Sequence, residues 1–149
     1  MYLMRKKWDL VDLPYDLTTS QKAAIISSLI IISKSDNNIH ENETKVVEAV
    51  MLRINLDPYD QTLISFLQNG DNQRLFSALS SLSESNKEWF VLFVYLVMIA
   101  DGKIQFVETA HIEVLCTATN ISERDYNSIV EKYLDNCTNF EDVYKALFY

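Results

Sequence analysis

Apolar residues recur at helical spacing along most of the chain. One stripe contains Val46, Val50 and Ile54, and a later stripe contains Leu75 and Leu79. Residues three or four positions apart lie on one face of an α-helix, whereas a half-buried strand alternates strictly between apolar and polar residues. No segment shows sustained alternation. The pattern therefore predicts an all-α fold, a compact bundle of seven to eight short helices.

One predicted helix, from Glu88 to Ala100, is apolar on nearly every side. Such a helix is normally surrounded by the other helices of a domain, so we expect it to be central. It contains the longest apolar run, which extends over 12 residues from Trp89 to Ala100. A helix needs about 20 apolar residues to span a bilayer. We therefore expect no membrane insertion.

Capping signals divide the chain into these helices. Thr18, Ser85 and Thr138 each precede a Gln or Glu by three residues, which is the spacing of a capping box. Asp57 precedes a proline, a combination typical of a helix N-terminus, and Ser122 precedes another amphipathic segment. Each of these five residues is a predicted N-cap. The last predicted helix covers residues 138–148.

The composition agrees with a small acidic helical domain. The chain has 149 residues, 48% of them apolar, with only two glycines and two prolines, so we expect one domain over 1–149. The net charge of −8 argues against nucleic acid as a partner, because phosphate binding needs a basic surface. The N-terminus carries no apolar signal core, so a cytoplasmic location is expected. The two cysteines are too few for a disulfide scaffold.

The chain matches itself when it is shifted by 65 residues. Between residues 36–60 and 101–125, seven of the 25 aligned positions are identical. The predicted N-caps Asp57 and Ser122 also coincide. These matches predict two tandem repeats, at roughly 20–65 and 86–135, each unable to bury its apolar face alone.

Each repeat contains one acidic motif with the order Asp, Asn or Gly, Ile and Glu. The first copy consists of Asp36, Asn37, Ile39 and Glu43, and the second of Asp101, Gly102, Ile104 and Glu108. Asn and Gly tolerate the left-handed backbone that ends a helix, and the isoleucines are expected to turn inward. The glutamates would lie in the first turn of the next helix, near the positive end of its dipole.

The acidic motif supports two interpretations. The four carboxylates of Asp36, Glu43, Asp101 and Glu108 are hard oxygen ligands and would suit Ca²⁺, Mg²⁺ or Mn²⁺, provided that the two copies meet. In the alternative, each aspartate accepts backbone N–H bonds and each glutamate stabilises a helix start, so that no cofactor is required. An EF-hand is not expected, because its earlier ligand positions would be occupied by apolar or cationic residues such as Val97 and Lys34.

The motif and its surroundings resemble the TerB-like domains, which are named for tellurite-resistance proteins. The resemblance rests on Asp101, Gly102, Ile104 and Glu108, between an apolar helix and an amphipathic one, and it covers about residues 20–135. It implies a compact cytoplasmic helical bundle associated with stress or metal responses, with its acidic residues as a suggested metal site. The family implies no enzymatic activity.

The last predicted helix carries aromatic residues on one face. Phe140, Tyr144 and Phe148 are spaced by four, so they either pack into the core or form an interaction surface. No nucleophile motif or phosphate loop occurs, and we therefore expect no enzyme. Two functional hypotheses follow. The chain is a scaffold that binds a protein partner or itself, for example as a homodimer, or it is a divalent-metal-binding domain.

Overall fold

The structure is a computed structural model that describes residues 16–33, 41–69, 72–100, 113, 116–117, 119–134 and 140–148. All secondary structure in these ranges is helical, which confirms the all-α prediction. Seven helices have described bounds: α1 (Thr19–Ser33), α2 (Glu41–Ile54), α3 (Gln61–Asn69), α4 (Asn72–Ser80), α5 (Glu84–Met98), α6 (Glu123–Leu134) and α7 (Phe140–Phe148). Glu113, Cys116, Thr117 and Thr119 are helical as well.

Two helices occupy the centre of the bundle. Helix α5 contacts α1, α2, α6 and α7, as its nearly uniform apolar surface predicts. Helix α1 is equally central, because it contacts α2, α3, α4 and α5. The buried apolar side chains of the described residues form one continuous cluster around this pair. None of the described helices is both long enough and apolar enough to cross a bilayer.

Helix α1 begins at the predicted capping box. The Gln21 N–H donates to Thr18 Oγ1 at 3.1 Å, and the Thr18 N–H donates to Gln21 Oε1 at 2.9 Å. Both bonds satisfy backbone donors that the first helical turn leaves unpaired. The Gln21 amide also donates to the Ser81 hydroxyl at 3.0 Å and to the Ser81 carbonyl at 3.3 Å. One side chain therefore caps α1 and ties it to the end of α4.

The predicted cap at Asp57 is wrong by three residues. Asp57 Oδ1 accepts from the Tyr59 N–H at 2.8 Å, and the Asp57 carbonyl accepts from the Asp60 N–H at 3.0 Å, which closes a turn. The N-cap of α3 is Asp60, whose Oδ1 accepts from the N–H groups of Thr62 at 2.9 Å and Leu63 at 3.1 Å. Asp57 uses its carboxylate in the turn before the helix instead.

The predicted cap at Ser85 is also displaced, by two residues. The N-cap of α5 is Ser83, whose Oγ accepts from the Asn86 N–H at 3.2 Å. Leu82, the residue before Ser83, is buried, and the helix begins directly after these two residues. The prediction at Ser122 is confirmed, since its Oγ accepts from the Asp125 N–H at 3.0 Å. Thr138 lies outside the described residues, and α7 ends at Phe148 as predicted.

The bounds of α1 and α5 coincide under the 65-residue shift. Thr19 aligns with Glu84 and Ser33 aligns with Met98, so that both helices have 15 residues. Both also occupy central places in the bundle. The tandem repeat and its origin by duplication stay predictions.

Candidate functional site

The acidic motifs lie almost wholly outside the described residues. Only Glu43 of the eight predicted motif residues is described. The other seven are Asp36, Asn37, Ile39, Asp101, Gly102, Ile104 and Glu108. The metal site and the structural turn therefore both stay predictions at those positions.

Glu43 lies in the first turn of α2, as predicted. Its side chain is in the core, with 3% of the residue exposed, and it interacts with a neighbouring group. The neighbouring Asn42 amide donates to the Ala100 carbonyl at 3.0 Å. Ala100 directly precedes Asp101 in the chain, so residues adjacent in sequence to the two motifs contact each other.

No metal centre is assembled by the side chains that the structure describes. Within those ranges, no group of three or more His, Cys, Asp or Glu side chains could hold a metal ion. A divalent ion with hard oxygen ligands needs several such groups around one point. Glu43 by itself does not supply them.

The aromatic face of α7 packs inward. Phe140 is 8% exposed and Tyr144 is 9% exposed, while Phe148 is half-buried. The Phe148 ring stacks on Phe93 of α5, with the ring centroids 6.3 Å apart. Of the two interpretations of these residues, core packing matches their burial, and they do not form an exposed aromatic patch.

Two cations of α2 hold α7 in place. Lys45 Nζ lies 4.5 Å from the centroid of the Tyr144 ring, and the Arg53 guanidinium lies 5.6 Å from that of Phe148. Arg53 Nη2 also donates to the Leu147 carbonyl at 3.3 Å. A cation over an aromatic face and beside the last carbonyls of a helix is attracted to both.

A cleft of about 390 Å³, lined mostly by charged and polar residues, lies between α5 and α6 and is not predicted by the sequence. It is lined by Glu84, Lys87, Glu88, Asn120, Ile121, Asp125, Ser128, Ile129 and Lys132. No sequence motif predicts this cleft, because its charged residues come from two helices about 40 positions apart in the sequence. In each helix they have the pattern of ordinary solvent-facing residues.

The lysines of this cleft are paired with its own glutamates. Lys132 Nζ lies 3.8 Å from Glu88 Oε2, and Lys87 Nζ lies 4.0 Å from Glu84 Oε1. A hydrogen bond to Tyr133 raises the pKa of Lys132, with Glu88 adding to the increase and partial burial opposing it. Burial raises the pKa of Tyr133, against the effect of Lys132. Because both pKa values are raised, Lys132 stays protonated and Tyr133 stays neutral at neutral pH.

Cys116, a potential nucleophile, is shielded from solvent. Cys116 is buried beside Phe90, Val94 and Tyr126, around a void of about 10 Å³. Burial first, and then the charges of two nearby glutamates, raise the pKa of the Cys116 thiol to about 11. Burial also raises the pKa of Tyr126. Because the thiolate is the reactive form of cysteine, Cys116 is unreactive at neutral pH.

Two large apolar side chains are exposed near the end of α2: Leu52 in its last turn and Tyr59 in the connection to α3. Leu52 is 84% exposed and Tyr59 is 81% exposed, more than any other large apolar residue that the structure describes. Asn55, with a positive φ of 58°, ends α2 between them, and Leu56 is buried. We call Leu52 and Tyr59 the apolar corner.

The corresponding turn in the second half of the chain is polar. Under the 65-residue shift, Leu52 aligns with Thr117 and Tyr59 aligns with Arg124, and both of these residues are exposed. The two helix ends have the same backbone, since Asn120 also has a positive φ, of 63°. Beyond them the backbones differ, because Tyr59 lies in a turn before α3 and Arg124 lies in the first turn of α6. A helix end of this type therefore does not require an exposed apolar residue at the position of Leu52.

Comparison with known proteins finds no matching family model, no matching curated protein and no matching solved structure. The resemblance to TerB-like domains accordingly rests on the motif at Asp101, Gly102, Ile104 and Glu108 and stays a prediction.

Proposed function

We propose that this chain is a non-catalytic protein-interaction module that docks a partner protein through the apolar corner. The observation that carries the proposal is the exposure of Leu52 and Tyr59 at a turn whose counterpart exposes Thr117 and Arg124. Single exposed apolar residues are common on protein surfaces. Two near one helix end, with the polar Thr117 and Arg124 at the equivalent positions in the second half of the chain, are better explained by contact with a partner.

The chemistry of the corner suits protein recognition. Tyrosine contributes a large rigid ring together with a hydroxyl, and it is enriched among the residues that dominate interface energetics. The Tyr59 N–H is held by Asp57 Oδ1 at 2.8 Å, so the backbone that carries the ring is ordered before binding. Ordering before association lowers the entropic cost of binding.

A non-catalytic role is supported by the state of the candidate reactive groups. The pKa of Cys116 is raised to about 11, so its thiol is protonated at neutral pH. In the cleft between α5 and α6, the ammonium groups of Lys87 and Lys132 lie beside Glu84 and Glu88. The pKa values of Cys116 and Lys132 are both raised, whereas an activated nucleophile has a lowered pKa.

Site-specific photo-crosslinking tests this proposal. A photoreactive amino acid would replace Tyr59 in one protein and Arg124 in a control protein, each expressed in the source organism and irradiated. We expect a discrete adduct at position 59 that is absent at position 124. If the adduct at position 59 disappears when Leu52→Thr is also introduced, the partner contacts the apolar corner. Equal adducts at both positions, or none at position 59, would contradict the proposal.

Divalent-metal binding by the acidic motifs is the second candidate function. It is favoured by the hydrogen bond between Asn42 and Ala100, which joins residues adjacent in sequence to the two motifs. Thermal unfolding of metal-stripped protein with millimolar Ca²⁺, Mg²⁺, Mn²⁺ or Zn²⁺ tests it. A ligand that binds only the folded state raises the melting temperature. An increase that is lost in Asp101→Asn/Glu108→Gln would support a metal site. No increase with any metal would favour the structural role of the carboxylates.

A further inference from the structure

We infer that the partner of the apolar corner is a basic segment that carries leucine-like side chains, as in a cationic amphipathic helix. This inference rests on the proposed function and adds the chemistry of the partner. It follows from the charges around Leu52 and Tyr59 and from the direction in which the cations of α2 point.

The exposed face of α2 is acidic and leads to the corner. Thr44, Glu48 and Leu52 are exposed and spaced by four residues, so they lie on one face of the helix. Glu41 is exposed at the start of α2, and Asp57 is exposed beyond its end. A partner that covers Leu52 therefore passes over carboxylates on both sides.

Both cations of α2 contact α7, although Lys45 is itself exposed. Lys45 lies over the Tyr144 ring and Arg53 over the Phe148 ring, where both hold α7. Glu48 and Asp57 are both exposed, and the whole chain has a net charge of −8. A cationic partner would gain from this field in both association rate and specificity.

The partner must also be apolar at its centre. Leu52 and Tyr59 offer contact area that a purely cationic chain could not cover favourably, since burying apolar surface is the main favourable term in association. An acidic membrane surface is repelled by the same carboxylates. A second copy of this chain would bring like charges together. Among these occupants, a basic segment with apolar residues fits both features of the corner.

Binding of two synthetic peptides tests the inference. One is a fluorescein-labelled helical 14-mer of leucine and lysine, and the other carries glutamate in place of each lysine. We expect the basic peptide to bind the full chain and the acidic peptide not to bind. Leu52→Thr/Tyr59→Arg should weaken binding of the basic peptide at least tenfold, measured by fluorescence anisotropy at about 150 mM salt, where surface charges are partly screened.

A matched variant separates the corner from the general acidity of the chain. Glu131→Gln/Glu141→Gln removes two exposed carboxylates on α6 and α7 and should leave affinity within twofold, whereas Glu48→Gln/Asp57→Asn should weaken it several-fold. Leu52 and Tyr59 are 84% and 81% exposed, so replacing them should leave the core intact and these variants should fold. Circular dichroism and thermal unfolding would verify this for each protein before binding is measured.

Several results would overturn the inference. The basic peptide could bind the wild type and Leu52→Thr/Tyr59→Arg equally well. The protein could also bind both peptides alike, or bind neither of them. A concentration-dependent dimer in sedimentation that this variant abolishes would assign the corner to a second copy instead. If crosslinking at position 59 captures a partner whose adduct peptide is acidic, the proposed function stands and this inference fails. If no adduct forms, the proposed function itself fails.

Discussion

Asn55 and Asn120, which are 65 positions apart, end their helical segments with the same backbone geometry. Their φ angles are 58° and 63°. In each turn the Asn N–H donates to the carbonyl three residues earlier at 3.3 Å. The next N–H donates to the carbonyl five residues earlier, at 3.0 Å in the first turn and 2.9 Å in the second. This left-handed termination satisfies carbonyls that the last helical turn leaves unpaired.

Glycine should be tolerated at both Asn55 and Asn120, and alanine should not. Glycine adopts a positive φ without steric cost, whereas a left-handed alanine costs about 1 kcal/mol. We expect Asn→Gly to keep or raise the free energy of unfolding and Asn→Ala to lower it by about 1 kcal/mol. Urea unfolding would measure both. Asn127 is an exposed residue in the interior of α6, where Asn→Gly should instead lower the free energy of unfolding slightly. An increase in stability at this position would contradict the explanation.

Gln21→Glu should destabilise the protein although glutamate also completes a capping box. The Gln21 amide donates to Ser81 at 3.0 Å and 3.3 Å, and a carboxylate cannot donate these bonds. We expect a loss of about 1 kcal/mol in the free energy of unfolding, the usual value of such a hydrogen bond. Thermal unfolding at neutral pH is the measurement. If Gln21→Glu matched the wild type, the link between α1 and the end of α4 would carry no stability.

Arg53→Met should loosen α7 without disturbing α1. The change removes the hydrogen bond to the Leu147 carbonyl and the contact with the Phe148 ring, with an expected cost of about 1 kcal/mol. Hydrogen exchange should become faster in α7 and stay unchanged in α1. Arg74→Met, which alters a cation over the Phe66 ring, is the control and should leave α7 unaffected.

Cys116 should resist alkylation far above the pH at which free cysteine reacts. With a pKa of about 11, its thiolate fraction at pH 8 is roughly two hundredfold below that of an ordinary thiol. In a Cys137→Ser background, we expect iodoacetamide to label the native protein slowly at pH 8 and the urea-unfolded protein rapidly. Rapid labelling of the folded protein would show that the thiol is accessible.

The same pKa predicts the direction of a stability change at high pH. The folded state holds the Cys116 proton up to about pH 11, while the unfolded state releases it near the ordinary thiol value. The contribution of this group is fully present below the unfolded pKa and is lost as the pH rises toward the folded one. Urea unfolding of wild type and Cys116→Ala between pH 8 and 10.5 would detect it. The difference between them should shrink with rising pH.

Local signals in the sequence were sufficient to predict the helical fold class and several helix starts. The capping box at Thr18 and the cap at Ser122 form as predicted, because each needs only residues within three positions. The apolar residues of α5 likewise predict its central place. The predicted caps at Asp57 and Ser85 are wrong, because the nearby Asp60 and Ser83 cap these helices instead. A turn before Asp60 and the buried Leu82 before Ser83 favour these positions.

Tertiary structure alone decided which surfaces became core, cleft or exposed corner. The aromatic face of α7 could have faced solvent by its pattern, and only its packing on Phe93, Lys45 and Arg53 buries it. The sequence likewise predicted neither the charged cleft between α5 and α6 nor the exposure of Leu52 and Tyr59. Helix periodicity shows that a residue lies on a given face, but burial depends on which distant helix covers that face.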